Sequence, residues 1–135
     1  MMHSNHADGR EVAEIRRVLS KLNEEATPRT MPPAYYVSED FLALEQATLF
    51  TREWACVGHA GEIPESGDFF ATEIAGEPIL VVRDNDGQVA VLSNVCRHRG
   101  TLLVEGGRRS KRFVCPYHAW TYGLKGELIA APLMD

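Results

Sequence analysis

The sequence predicts a mostly β protein, a small antiparallel β-domain preceded by two N-terminal α-helices. Three observations carry that prediction. Apolar residues recur at helical steps only before residue 54. After it, short apolar runs alternate with turn residues, the pattern of antiparallel strands. The chain has 135 residues, 44% apolar and 24% charged, which suits one compact domain with a real core.

Residues 1–9 are polar and are expected to form a disordered tail. Residues 10–53 read as a helical segment. Within it, Val12, Ile15, Leu19, Leu22 and Ala26 fall at alternating three- and four-residue steps, one face of a helix over 10–26. Pro28, Pro32 and Pro33 mark residues 27–37 as an extended connector. Ser38 can cap a second helix over about 39–53, with Glu39 and Asp40 favourable in its first turn. Phe41, Leu44, Thr48 and Leu49 form its stripe, widened by Leu42 and Phe50.

Residues 54–135 read as the β-domain. The apolar runs are WACVG, FFATEI, PILVVRD and QVAVLSNV. They are punctuated by Pro64-Glu65-Ser66-Gly67, Gly76-Glu77-Pro78 and Asn85-Asp86-Gly87, the last a hairpin turn. Beyond Gly106-Gly107 the sequence predicts strands at Arg112–Val114 and Trp120–Tyr122, then a turn at Gly123–Gly126.

The net charge of −5 argues against nucleic acid as a partner. No apolar run reaches the roughly eighteen residues of a membrane span. The start, MMHSNHADGR, has no signal-peptide core, so a cytoplasmic protein is expected. Three cysteines, Cys56, Cys96 and Cys115, make a disulfide framework a poor reading and metal or cluster ligation a better one.

The chemistry lies in Cys96-Arg97-His98 and Cys115-Pro116-Tyr117-His118, with sixteen residues between His98 and Cys115. Each pair falls where a strand gives way to a loop. Thiolates are soft donors that suit iron in a sulfide cluster. Imidazoles in place of two thiolates remove two negative charges and make the group easier to reduce. Mixed centres of this type span about −150 to +300 mV, against about −400 mV for all-cysteine plant-type centres. The spacing therefore points to a Rieske-type [2Fe–2S] cluster, with Cys96 and Cys115 on one iron and His98 and His118 on the other. A single structural zinc is the rival ligand chemistry, but one residue between Cys96 and His98 is tighter than zinc sites use.

The flanking residues extend the pattern. Asn94-Val95-Cys96-Arg97-His98-Arg99-Gly100 and Cys115-Pro116-Tyr117-His118-Ala119-Trp120-Thr121-Tyr122 resemble the cluster motifs at the start of the large (alpha) subunit of Rieske non-heme iron oxygenases. Trp54, Val57-Gly58-His59, Glu62-Ile63-Pro64, Gly67-Asp68 and Val82-Arg83-Asp84 are similar to that subunit as well, from about residue 33 onward. The resemblance implies a Rieske sandwich that relays single electrons from a reductase or ferredoxin to a mononuclear iron. It implies a homotrimer or a multiple of one, and His118 as the electron exit toward a carboxylate of the neighbouring subunit. The whole enzyme would be a dioxygenase or monooxygenase that hydroxylates or demethylates an aromatic or quaternary-amine substrate, and the Val57–Pro64 segment leans toward the amines. A free-standing Rieske ferredoxin is the main alternative, and a zinc-stabilised interaction module the third.

Two departures from the family stand out. Ala119 occupies a position where the family has Gly. The family's mononuclear-iron ligands, two histidines and a carboxylate, have no counterpart here. The spare histidines His3, His6 and His59 lack the spacing, so these residues alone are expected to hold no catalytic residue.

Four further expectations concern single features. Cys56 is expected in the core, and His59 in a loop. Arg108-Arg109-Ser110-Lys111-Arg112 reads as a solvated loop or as a docking patch for an acidic reductase. Pro116 should stiffen the second loop, with Tyr117 and Trp120 shielding the sulfides. Ala119 and Trp120 carry no hydroxyl, and the loops lack the cysteine pair of respiratory-type Rieske proteins. Fewer hydrogen-bond donors should place the potential toward the low end of the range.

Overall fold

The computed structural model describes residues 13, 14, 16–18, 20, 21 and 30–132. The tail assigned to 1–9 and much of the helix assigned to 10–26 lie outside the described residues. Those of 13–21 that are described are helical. The chain divides into two compact units, Met1–Ala55 and Cys56–Asp135.

In the first unit a 3-10 turn at Pro33–Tyr36 leads to helix α1, Glu39–Glu45. The Ser38 hydroxyl accepts the Phe41 N–H at 3.1 Å, which satisfies one of the helix's unpaired donors. Phe41 is buried, and Tyr35 stacks on it with ring centroids 5.2 Å apart. The helix is shorter than the 39–53 expected. Its last turn, Gln46–Phe50, widens to π geometry. The Thr48 and Thr51 hydroxyls donate back to the Leu44 and Ala47 carbonyls, and such back-bonding competes with regular helix. Thr48, Leu49 and Phe50 are exposed, so the apolar stripe narrows to Phe41 with half-buried Leu44.

The second unit holds two antiparallel sheets. The larger has the order β3-β2-β1-β4, with β1 at Asp68–Ile74, β2 at Glu77–Arg83, β3 at Val89–Ser93 and β4 at Gly107–Arg109. The smaller has the order β5-β6-β7, with β5 at Phe113–Val114, β6 at Thr121–Tyr122 and β7 at Leu128–Ala130. The run WACVG forms no strand; residues 54–59 are irregular, and Cys56 is exposed rather than in the core. The β1–β2 turn sits earlier than the sequence suggests. Ala75 and Gly76, both at positive φ, make it, while Glu77 and Pro78 pair within β2 against Ile74 and Glu73. The β2–β3 turn is where expected: Asp84 Oδ1 accepts the Asp86 and Gln88 N–H groups at 2.8 Å each, and Gly87 takes φ +76°. At Gly67 a Cβ would stand 2.4 Å from the Ser110 carbonyl oxygen, so only glycine lets the two chains approach there.

The core packs Phe69, Leu80 and Val82 of the larger sheet against Phe113, Tyr122 and Leu124, with Cys96, Leu103 and Cys115 among them. The Phe69 and Phe113 rings meet edge to face at 5.3 Å and join the sheets. Asn94, 2% exposed, latches the two sides of the first cysteine loop. Its side-chain amide donates to the Val104 carbonyl and accepts the Val104 N–H, while its backbone bonds Pro78 and Leu103. Asn94→Ala would leave two half-buried backbone groups of Val104 without their partner. The expected loss is about 2–4 kcal/mol of unfolding free energy, read by urea denaturation.

Candidate metal centre

Two loops emerge from this core, and both close by the same backbone bonds. In the first, the Cys96 N–H donates to the Thr101 carbonyl (2.8 Å) and the Gly100 N–H to the Cys96 carbonyl (2.9 Å). In the second, the Cys115 N–H donates to Trp120 (2.8 Å) and the Ala119 N–H to Cys115 (3.0 Å). The fourth residue after each cysteine is left-handed, Gly100 at φ +70° and Ala119 at φ +58°. Val95 bridges Leu102 at the base of the first loop, and β5 ends at Val114 just before the second cysteine. The strand-to-loop placement read from the sequence holds for both.

The loops bring the four predicted donors together as two pairs, the cysteines in the core and the histidines ring against ring. Cys96 and Cys115 are buried, 1% and 3% exposed. His98 and His118 are half-buried, with ring centroids 4.8 Å apart. His118 Nδ1 is buried and has no partner among the described residues. Among those residues no three His, Cys, Asp or Glu side chains converge to suit a single metal ion. His59 lies apart in a loop, where its Nδ1 accepts the Gly61 N–H.

The site's electrostatics favour ligand forms. Burial alone would push the Cys96 thiol up. Hydrogen bonds from the Tyr122 hydroxyl, the backbone of His98 and Arg99, and Cys115 outweigh it, and the thiol ends below its ordinary value. Burial holds the His118 imidazole below its usual 6.5, and the charges of His98 and Arg99 push the same way, so its lone pair is free near neutral pH.

Tyr122 is the residue that counting ligands missed. Its oxygen accepts the Arg97 N–H at 3.1 Å and lies 3.3 Å from Cys96 Sγ; a thiolate at Cys96 has no proton to give, so in that form the phenol O–H is the donor. Burial, then the sulfur acceptor, hold that proton on the phenol. The signal was present in the sequence: an aromatic on a short strand seven residues after Cys115, facing inward two positions after Trp120. A hydroxyl donor to a candidate ligand corrects the premise that the loops are poor in donors.

The aromatic shield is asymmetric. Trp120 lies flat on His98, centroids 4.8 Å apart and planes 7° apart. Tyr117 is 57% exposed and covers the His118 ring at 3.7 Å. The basic run is partly strand: Arg108 and Arg109 lie on β4, and Arg109 forms a two-point ion pair with Asp68 of β1. Lys111 and Arg112 remain exposed.

The chemistry of the donors fits a two-iron, two-sulfide group, with soft anionic sulfur from the core and neutral nitrogen from the rim. The comparisons agree. The family model for the Rieske [2Fe-2S] domain matches residues 53–135, and the chain belongs to that family. Its relatives include oxygenase subunits. The biphenyl 2,3-dioxygenase alpha subunit of Rhodococcus jostii is 36% identical over 87% of this chain and 25% of that protein. The carnitine monooxygenase oxygenase subunit of Acinetobacter baumannii is 36% identical over 78% and 29%. The glycine betaine monooxygenase oxygenase subunit of Pseudomonas aeruginosa is 40% identical over 76% and 24%. Among solved structures, naphthalene 1,2-dioxygenase from Rhodococcus sp. superposes with a TM-score of 0.80, 29% identity, and coverage of 94% of this chain and 28% of that one. The quaternary ammonium Rieske monooxygenase CntA gives 0.72, 34%, 80% and 30%. The chain thus spans less than a third of these relatives' length. Among the described residues no helix is long and apolar enough to cross a membrane.

Two outcomes follow. Ala119→Gly removes a left-handed alanine, worth about 1–2 kcal/mol, and restores about 0.5–1 kcal/mol of unfolded-state entropy, so unfolding free energy should rise by up to about 1.5 kcal/mol in thermal or urea melts. Tyr122→Phe removes a donor to Cys96 sulfur, so the loaded protein's midpoint potential should fall in a redox titration. An unchanged midpoint would remove Tyr122 from that role.

Proposed function

We propose that this chain is the electron-relaying part of a Rieske oxygenase large subunit. Cys96 and Cys115 hold one iron of the [2Fe–2S] cluster, and His98 and His118 hold the other. The observation that carries the reading is the donor arrangement: two core thiols, two rim imidazoles, and His118 Nδ1 buried without a partner. The bound cluster supplies reversible one-electron chemistry.

The chain's own residues do the rest. The core excludes water from the thiolates, and the Tyr122 hydroxyl and nearby backbone N–H groups stabilise negative charge on Cys96. With Nδ1 of His118 turned inward, its other nitrogen is free for an outside carboxylate. Trp120 lies on His98 and Tyr117 on His118, so a ring covers each, and it is the inward Nδ1 of His118 that favours its outer nitrogen as the exit. Arg97 and Arg99, both exposed, give that rim a positive potential suited to an acidic partner.

In the whole protein the electron donor is a reductase or ferredoxin, and the acceptor is a mononuclear iron outside these residues. The assembly is a homotrimer in the cytoplasm, with domain limits near residues 9 and 53. The substrate is an aromatic compound or a quaternary amine; the names of several relatives and of CntA favour the amine.

Metal analysis tests the ligand assignment. Protein purified under low oxygen should carry iron and acid-labile sulfide in equal amounts, as [2Fe-2S] requires. Alanine at Cys96, His98, Cys115 or His118 should abolish both, while Cys56→Ala should keep them. Zinc without labile sulfide would overturn the reading.

A further inference from the structure

Two side-chain nitrogens among the described residues are buried without a hydrogen-bond partner there: His118 Nδ1 and the indole Nε1 of Trp120. The first is accounted for as a ligand atom. The second is not. An indole N–H can only donate, and leaving it unpaired in the interior costs about 1–3 kcal/mol. Buried donors in native proteins are seldom left so.

Trp120 is tied to both loops. Its carbonyl accepts the Cys115 N–H at 2.8 Å, which fixes its backbone to the second loop. Its ring lies parallel to His98, 4.8 Å away, which places the indole against the first. The rings bearing the two unpartnered nitrogens both neighbour His98, within 4.8 Å of its centroid. A group held by the four donors would bring acceptors to the indole's side of His98.

Resting on the cluster reading above, we propose that Trp120 is a positioning residue. Its face fixes the plane of the His98 imidazole, and its Nε1–H donates a hydrogen bond to a sulfur of the bound cluster. A donor to sulfur favours the reduced, more negative form, so Trp120 raises the potential while holding the ligand in place.

The test uses the full loaded chain. Trp120→Phe keeps an aromatic face on His98 and deletes the N–H, whereas Trp120→Leu deletes both. Trp120→Phe should retain iron and sulfide, show a lower midpoint potential, and lose one exchangeable proton coupling in pulsed EPR of the reduced protein in H2O and D2O. Trp120→Leu should in addition alter the EPR g-values and lose its cluster faster. A second measurement needs no change at residue 120. The chain has two tryptophans, so a Trp54→Phe background with indole-15N label reports Trp120 alone. A 15N coupling to the reduced centre is expected. Its absence, or a wild-type midpoint and full proton pattern in Trp120→Phe, would overturn the hydrogen bond. Unchanged g-values and cluster-loss rate in Trp120→Leu would overturn the positioning. Wild-type protein without iron and sulfide would instead sink the cluster reading beneath both.

Discussion

Cys96 and Cys115 are core residues as much as candidate ligands, and the rest of the second unit depends on that double role. Their sulfurs sit among Phe69, Leu80, Val82, Phe113 and Leu124, so the packing that joins the two sheets also sets where the thiols can be. Cores are close-packed, and a side chain in one has few alternative positions. The loops that carry the histidines hang from these fixed points by two backbone hydrogen bonds each. The imidazoles reach the rim because the loops are short and closed.

Burying a thiol that must ionise is unfavourable, and the structure offsets it with donors. Tyr122 lies on β6, in the same small sheet that starts the second loop, yet its hydroxyl serves the cysteine of the first. Arg97 N–H also donates to the phenol oxygen, and ionisation of Cys96 makes the phenol the donor to sulfur. The first loop thus depends on two side chains from the second loop and its strand: Tyr122 on Cys96, and Trp120 on His98. Displacing the second loop would disturb the candidate ligands of the first, which couples the pair without a disulfide between them.

The parts legible in the sequence were those with local causes. Alternating apolar runs placed β1, β2 and β3, Asn85-Asp86-Gly87 placed the hairpin, and Ser38 placed the start of α1. The four donors were legible because their spacing is tight and their chemistry restrictive. What sequence reading missed depends on tertiary context. Gly76-Glu77-Pro78 carries turn residues, but register against Glu73 and Ile74 draws Glu77 and Pro78 into β2. Cys56 sits in an apolar run, and the segment around it has no strand to carry it inward. Thr48 belongs to the stripe that the helical periodicity predicts, and its hydroxyl, like that of Thr51, instead bonds back to the backbone in the last turn. Tyr122 looked like one more aromatic in a strand until the fold put 3.3 Å between its oxygen and Cys96.

Ala119 shows how the two loops divide their tasks. Gly100 and Ala119 stand at the same step of the same closure, and glycine takes that backbone without strain. Alanine takes it at a cost, so something must hold the second loop closed. The bonds flanking Ala119, from Cys115 N–H to Trp120 and from Ala119 N–H to Cys115, do so. The first of them also anchors Trp120, whose ring rests on His98. His118, beside Ala119, has the exposed Tyr117 over it and an outer nitrogen with no assigned partner. Each imidazole thus lies against one ring of the second loop, His98 against half-buried Trp120 and His118 against exposed Tyr117.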